Sequence, residues 1–236
     1  MPAFLEDITP FLGTGERNED GLTLEEFLKD YDPNAYPNPS VTADILVFQY
    51  DKDNLNVKDG LKLLMIKRKN HPGIGLFALP GGFVNIREDI DVAAKRELFE
   101  ETSIENIPVE QLYCWGDYKR DPRTRVVTVS YLAMVEAGLN PKAGDDAADA
   151  MWLDVSFNKL SEEIKEGRIY TQYRVELANV NRGEKVGFVA EKSVNAEGFL
   201  KEPGFRVVSA DNIAFDHPCF ILQALLRIEE LFKQNK

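Results

Sequence analysis

The sequence has 236 residues, 44% hydrophobic and 29% charged, with a formal net charge of -12. This suits one large soluble domain, or one domain with additions. It offers no run near the ~18 apolar residues of a membrane span, no basic or apolar leader region in MPAFLEDITPFLG, and no basic run on an acidic chain that repels nucleic acid.

In chain order, the first forty residues read as a peripheral extension. Thr23 to Glu26 form a capping-box pattern, which predicts a short helix to about Asp30. The proline-rich YDPNAYPNPS is an extended connector. Val41–Tyr50 and Leu61–Lys69 are β-branched and aromatic runs around a turn, which predicts a hairpin. A short strand is expected inside HPGIGLFALPGG. From Asp89 the period changes: Ile90, Ala93, Ala94, Leu98 and Phe99 recur at helical spacing, so Asp89 to Thr102 is expected to be an amphipathic helix. Strands are predicted in EQLYCWGDY, TRVVTVSYLAMVEA and MWLDV, and a short helix over Ser156–Glu166. Two β-rich runs around Asn181-Arg182-Gly183 predict a hairpin at 172–192. SVNAEGFLKEPGFRVVS predicts no definite element. Pro218 near a helix start, with Ile221, Leu222, Leu225, Ile228, Leu231 and Phe232 on one face, predicts a C-terminal helix. Together these imply an α/β fold whose mixed sheet carries helices on both faces. Cys114 and Cys219 are the only cysteines. Neither has a CxxC or Cys/His partner, so a zinc site is not expected, and a reducing cytoplasm is the expected compartment.

The central helix raises a question. Glu97, Glu100 and Glu101 stand at i, i+3 and i+4, on one face, where like charges cost roughly 0.2–0.5 kcal/mol per pair. A solvated acidic face is the plain reading; a bound cation is the other. Carboxylate oxygens suit hard divalent ions such as Mg²⁺ or Mn²⁺. Gly81 and Gly82 permit close backbone approach, and a free carbonyl there can ligate the same ion. Arg96 can hold a neighbouring carboxylate in place, and Glu88 is a candidate partner or remote ligand.

Gly82, five residues, Glu88, seven residues, Arg96-Glu97-Leu98, one residue, Glu100-Glu101: this pattern resembles the signature of the Nudix hydrolase family. One position departs, since the family's late glycine is Ser103. The resemblance implies a Nudix-like α/β/α sandwich with a mixed β-sheet over residues 41–236, and metal-dependent cleavage of the diphosphate linkage in a nucleoside diphosphate derivative. It implies catalytic roles for Arg96, Glu97, Glu100 and Glu101, and ligation of Mg²⁺ or Mn²⁺ by Gly81, Glu97, Glu100 and Glu101.

A second stretch, WGDYKRDPRTRVVTVSY, resembles the GDPxRDPR pattern of the branch acting on ADP-ribose, with Tyr118 in place of the first proline. It implies that Arg120, Asp121 and Arg123 bind substrate, the arginines by bidentate contacts. Phe83 joins them as an aromatic that can stack on a base, as can Phe77 and Trp115. In AGDDAADAMW the family often carries a water-activating carboxylate. Asp145 and Asp146 match the region; Asp146 is taken as the candidate, with Asp145, or Glu100 in the box, as the alternative base. NIAFDH before the last helix also matches the branch; Asp216 reads as a helix cap, His217 as a first-turn residue and His71 as a loop histidine.

The expected function is therefore hydrolysis of ADP-ribose to AMP and ribose 5-phosphate. The alternatives are a non-catalytic ADP-ribose or nucleotide sensor, as in related regulators that carry a winged helix after the Nudix domain, and a Nudix hydrolase of another nucleotide substrate. The segment from Asp211 onward is short and acidic for a DNA-reading module, which favours the enzyme, with a small-molecule partner and no nucleic acid or membrane. Many relatives are homodimers, so residues 1–40 and 172–192 are candidate dimer contacts.

Overall fold

The computed structural model describes residues 4–51, 60–144 and 147–234. Contacts divide the chain into two compact units, Met1–Pro39 and Ser40–Lys236. In the first, helix α1 (Leu24–Asp30) starts at Thr23. The Thr23 hydroxyl accepts from the Glu26 N–H and the Glu26 carboxylate accepts from the Thr23 N–H, a reciprocal cap.

The second unit is built on ten strands: β1 (Ser40–Tyr50), β2 (Leu61–Arg68), β3 (Phe77–Ala78), β4 (Gly81–Phe83), β5 (Glu110–Trp115), β6 (Val126–Glu136), β7 (Ala147–Lys165), β8 (Arg168–Asn179), β9 (Glu184–Asn195) and β10 (Gly204–Asp211). Among the described residues two α-helices join them, α2 (Ile90–Thr102) and α3 (His217–Gln234). The sheet runs β10-β9-β8-β7-β2-β1-β6-β5, with β3 against β2 and β4 against β1. The β1–β6 pairing is parallel and β1–β2 antiparallel, so the sheet is mixed. None of the helices among the described residues is long and apolar enough to cross a membrane.

Side chains alternate along a strand, and β1 is buried on both faces. Ala43, Ile45 and Val47 pack with Ala94 and Leu98 of α2, while Leu46 and Phe48 pack with Phe220, Ile221 and Leu225 of α3. That is why the strand reads as a continuous apolar run. Thr42 and Asp44 are the buried polar exceptions, and by parity they share the α3 face.

The sheet forks between β1 and β2. Phe48–Tyr50 pair with Leu61–Leu63. Beyond them, β2 turns to β3 through Ile66 and Lys67, and β1 turns to β4 through Thr42, Ala43 and Asp44. Leu79-Pro80 sits in the crotch, with the Pro80 carbonyl accepting from Ile45 N–H at 2.8 Å.

Two expectations are corrected. Ser156–Glu166 is not a helix but the outer half of β7, paired with β8 from Asp154–Ala178 to Lys165–Arg168. Leu160 and Ile164, four residues apart, are both exposed and would give a helix no buried face. Cross-strand contacts such as the Phe157–Tyr173 stack at 5.2 Å decide the local structure instead. Helix α3 is buried not on one face but nearly all round: from His217 to Ile228 only Gln223 and Arg227 are less than buried. The sheet curls until its two edges meet beside the helix. Phe205 of β10 lies edge-on to Tyr113 (6.2 Å) and Trp115 (5.6 Å) of β5, and Trp115 stacks on Phe220 at 4.3 Å. The undefined stretch after β9 contains β10, and the β8–β9 hairpin turns through Gly183 at φ 68°.

Helix α2 ends at Ser103 in the left-handed conformation, φ 58° and ψ 21°. The geometry is that of a glycine cap with a side chain imposed on it. The next loop closes on this end: Lys142 N–H donates to the Thr102 carbonyl and Gly144 N–H to that of Glu101. A Cβ on Gly144 would stand 1.6 Å from the Glu100 carbonyl oxygen. Ser103→Gly is expected to stabilise the protein by about 0.5–1 kcal/mol, because left-handed backbone costs an L-residue roughly 1–2 kcal/mol and glycine's extra chain entropy offsets roughly 0.5–1 kcal/mol of that gain. Denaturant titration checks this, and an unchanged or lower midpoint would refute it.

Candidate active site

A cleft of about 180 Å³ opens at the fork. One prong contributes Thr42 and Asp44, the other Ile66 and Arg68, and the crotch Leu79, Gly81, Gly82 and Phe83. Glu101 enters from α2, Arg120, Asp121 and Arg123 from the turn between β5 and β6, and His217 from the start of α3. His71 also lines it.

The glycines let α2 lie against β4. A Cβ on Gly82 would fall 2.4 Å from Oε2 of Glu97, and one on Gly81 would fall 2.3 Å from the Ala43 carbonyl and 2.6 Å from Oδ1 of Asp44. The Gly81 N–H donates to Glu101 Oε2 at 2.8 Å. Glu101 is 7% exposed. Burial pushes its carboxyl up to about 8, and the charges of Glu97 and Asp44 add to the rise. Glu97 is raised as well, chiefly by burial.

Arg96 organises the outer side of this face. Its Nε and Nη2 grip both oxygens of Glu88 at 2.7 and 2.8 Å, and its Nη1 donates to Glu97 (2.6 Å) and Glu100 (2.9 Å). Nη2 also donates to the Phe83 carbonyl at 3.0 Å. The hydrogen bonds from Arg96 hold the Glu88 carboxyl down at about 2. Glu88 is thus a partner of the arginine and reaches Asn85 besides.

Among the described residues, no three acidic, histidine or cysteine side chains form a ready-made metal cage; Arg96 Nη1 is shared between Glu97 and Glu100. The donor set nevertheless fits a hard divalent ion. It is all oxygen, the carboxylates of Glu97, Glu100 and Glu101 with the Gly81 carbonyl, and Glu97 raises the cost of ionising Glu101 as Glu100 raises that of Glu97, which a cation relieves.

The RDPR turn holds two unlike arginines. Arg120 has a side chain only 6% exposed. Its Nε and Nη2 donate to Asp216 at 3.0 Å each, its Nη1 to the Thr128 hydroxyl at 2.5 Å, and its guanidinium lies 5.4 Å from the Phe220 ring centre. Arg123 is 42% exposed. Asp121 holds it through its backbone N–H, Nε and Nη2, and its guanidinium lies over Phe83 at 5.1 Å. Phe83 is exposed beside the cleft, while Phe77 and Trp115 lie in the core and offer no ring face to a base. Asp145 and Asp146 lie outside the described residues.

Three features escaped the sequence reading. Asp44, a lone charge in an apolar strand, was a visible signal. Asp216 is not read as a cap here, since both its oxygens receive Arg120. His217 is buried, and its Nδ1 accepts from Leu79 N–H at 3.0 Å. Burial holds its imidazole neutral down to about 3. No local pattern announces a contact across so long a sequence separation.

Residues 41–172 match the NUDIX domain, more than half of the chain. The chain is similar to the ADP-ribose pyrophosphatase of Methanocaldococcus jannaschii, 37% identical over 142 residues, 60% of this chain and 76% of that protein. It is also similar to the ADPR responsive transcriptional repressor NtrR of Acinetobacter baylyi, 38% identical over 113 residues, 47% of this chain and 43% of the repressor, so it spans less than half the repressor's length. Among solved structures, a MutT/nudix family protein from Enterococcus faecalis superposes with a TM-score of 0.61 and 32% identity, over 89% of this chain and 70% of that one. With the box of acids laid against paired glycines at the mouth of a forked sheet, these likenesses settle the family: the chain belongs to the Nudix family.

Proposed function

We propose that the protein is a divalent-metal-dependent hydrolase that cleaves the diphosphate of ADP-ribose, or of a closely similar nucleoside diphosphate derivative, giving AMP and ribose 5-phosphate from ADP-ribose. The observation that carries this reading is that one cleft is lined both by Glu101 of α2, held against Gly81-Gly82, and by Arg120, Asp121 and Arg123 of the arginine turn. The likeness to the archaeal pyrophosphatase supports the substrate.

Glu97, Glu100 and Glu101, with the Gly81 carbonyl, would hold the ion, Mg²⁺ or Mn²⁺. When bound, such an ion neutralises phosphate oxygens and lowers the pKa of a water. The chain's own residues do the rest. Arg96 orients Glu97 and Glu100 from behind. Gly81 N–H fixes the Glu101 carboxylate. Arg123, partly exposed over Phe83, is placed to receive a phosphate or sugar oxygen. Asp146 stays the candidate for water activation. The partner is then a small nucleotide-linked molecule rather than nucleic acid or a membrane, and the setting a homodimer in the cytoplasm.

A second reading rests on the repressor likeness: ADP-ribose bound and not cleaved. One experiment separates the two. Purified protein with Mg²⁺ or Mn²⁺ is offered ADP-ribose, other nucleoside diphosphate derivatives and nucleoside triphosphates, and products are resolved chromatographically. Metal-dependent AMP from ADP-ribose, well ahead of any triphosphate, is expected. Binding without turnover would favour the sensor, and a clear preference for triphosphates would reject the substrate.

A further inference from the structure

The carboxylates around the cleft are not equally provided for. Glu97 receives Arg96 and Glu101 receives the Gly81 N–H. Asp44 lines the cleft at 8% exposed, yet among the described residues its carboxylate has no hydrogen-bond donor and no ion-pair partner. The two cations nearby are engaged elsewhere. Arg120 gives its fork to Asp216 and Thr128. Arg68 gives Nε to the Pro72 carbonyl and lies 5.2 Å from the Phe215 ring centre. Buried polar groups are almost always satisfied, and a buried carboxylate without donors is costly. A group facing a cleft in this state points to donors arriving with a ligand.

The neighbourhood restricts what those donors are. Asp44 is the register partner of Gly81, beside the glycine pair, so what it meets adjoins the diphosphate. The floor next to it is made of hydroxyls, Thr42 and Thr128, whose oxygens are 2.5 Å apart. The aromatic rings that line the cleft are already covered by guanidiniums: Phe83, the register partner of Thr42, carries Arg123, and Phe215 carries Arg68. The guanidiniums of Arg68 and Arg120 disfavour an ammonium. In a nucleoside diphosphate sugar, the groups flanking the diphosphate are sugars with vicinal hydroxyls.

We propose that Asp44 is a specificity-determining residue whose carboxylate accepts hydrogen bonds from a sugar hydroxyl next to the diphosphate, and whose charge disfavours a further phosphate in the same place. This rests on the ligand class given above, not on turnover.

The test is equilibrium binding by calorimetry with Ca²⁺ present, using the full chain and Asp44→Asn. The probes are ADP-ribose, an analogue lacking a hydroxyl on the adenosine ribose, and one lacking a hydroxyl on the distal ribose. Wild type is expected to bind one of the two analogues about ten- to a hundredfold more weakly than ADP-ribose, and that analogue identifies the sugar. Asp44→Asn is expected to bind ADP-ribose more weakly and to lose that discrimination. Equal discrimination in both proteins overturns the proposal. So does a tenfold loss of Mn²⁺ affinity in Asp44→Asn without nucleotide, read by electron paramagnetic resonance, which would make Asp44 a metal ligand. The wild-type arm stands alone if the variant does not fold: failure to distinguish either analogue, or to bind ADP-ribose at all, refutes the assignment. A protein that binds and discriminates but does not cleave fails as a hydrolase and leaves this inference intact. One that cleaves ADP-ribose with its discrimination unchanged in Asp44→Asn does the reverse.

Discussion

Glu101→Gln is expected to lower metal-dependent turnover by at least about a hundredfold, while the metal-free protein melts no lower than wild type and, at alkaline pH, higher. Glutamine keeps an oxygen to accept the Gly81 N–H at 2.8 Å but removes a charge that is buried next to Glu97 and Asp44. The sign follows from linkage. A carboxyl raised from 4.5 to about 8 keeps its proton longer in the folded state. Its contribution to stability therefore falls as pH rises through that window, by at most about 1.4 kcal/mol per pH unit. His217 acts in the opposite direction and lower: its folded value is about 3 against an ordinary 6.5, so stability is lost to it as pH falls through that range and not above it. Asp44, pushed up to about 7 by burial, titrates beside Glu101 in the same window, so between pH 6.5 and 8 the difference between wild type and Glu101→Gln reads the glutamate together with its coupling to Asp44. Melting curves in chelator at both ends of that interval, with steady-state kinetics on the best substrate, check both halves. Near-wild-type turnover would return Glu101 to an ordinary buried acid. A wild-type advantage in stability that grows with pH would contradict the burial argument.

The part of this site that was legible in the sequence is the part written in one helical turn. Glu97, Glu100 and Glu101 share a face by spacing alone, and Gly81-Gly82 announce a close approach before any partner is known. What was not legible is non-local. The fork that makes the cleft depends on β1 leaving β2 for β4, and the β1–β6 pairing joins strands far apart in the chain. Periodicity also has a blind side: Leu160 and Ile164 suit a helix by spacing, but the outer half of β7 pairs with β8, with Leu160 at a shift in the register. An aromatic carries the same ambiguity. Phe77, Phe83 and Trp115 look alike in sequence, and only curling of the sheet over α3 decides that Trp115 stacks on Phe220 while Phe83 stays at the surface. Ser103 shows the reverse, a residue that departs from the family's glycine while the backbone keeps the left-handed turn.

The two arginines of the RDPR turn, read alike in sequence, are expected to separate sharply when each is replaced by methionine. Arg120 joins the turn to the start of α3, with Asp216 on two nitrogens, Thr128 on a third and Phe220 beneath. Its side chain is 6% exposed, so water screens little of the pair. Removing it leaves Asp216 without its counter-charge, and breaking one side of a buried ion pair costs about 3–5 kcal/mol. Arg123 is 42% exposed, and among the described residues its only salt bridge is to Asp121, two residues away; an exposed pair of this kind is worth about 0–1 kcal/mol. Arg120→Met should therefore lower the denaturation midpoint strongly and Arg123→Met scarcely. The origin of the larger loss is itself testable. If it comes from the stranded carboxylate, Asp216→Leu added to Arg120→Met should recover much of it, since an apolar pair can replace a buried ionic one. If instead Arg120 is chiefly a substrate contact, Arg120→Met will fold as firmly as wild type and lose affinity for the nucleotide, and the double variant will regain nothing. Denaturant titration of the three variants, with a nucleotide-binding isotherm for each, decides between a strut that shapes the cleft and a hand that reaches into it.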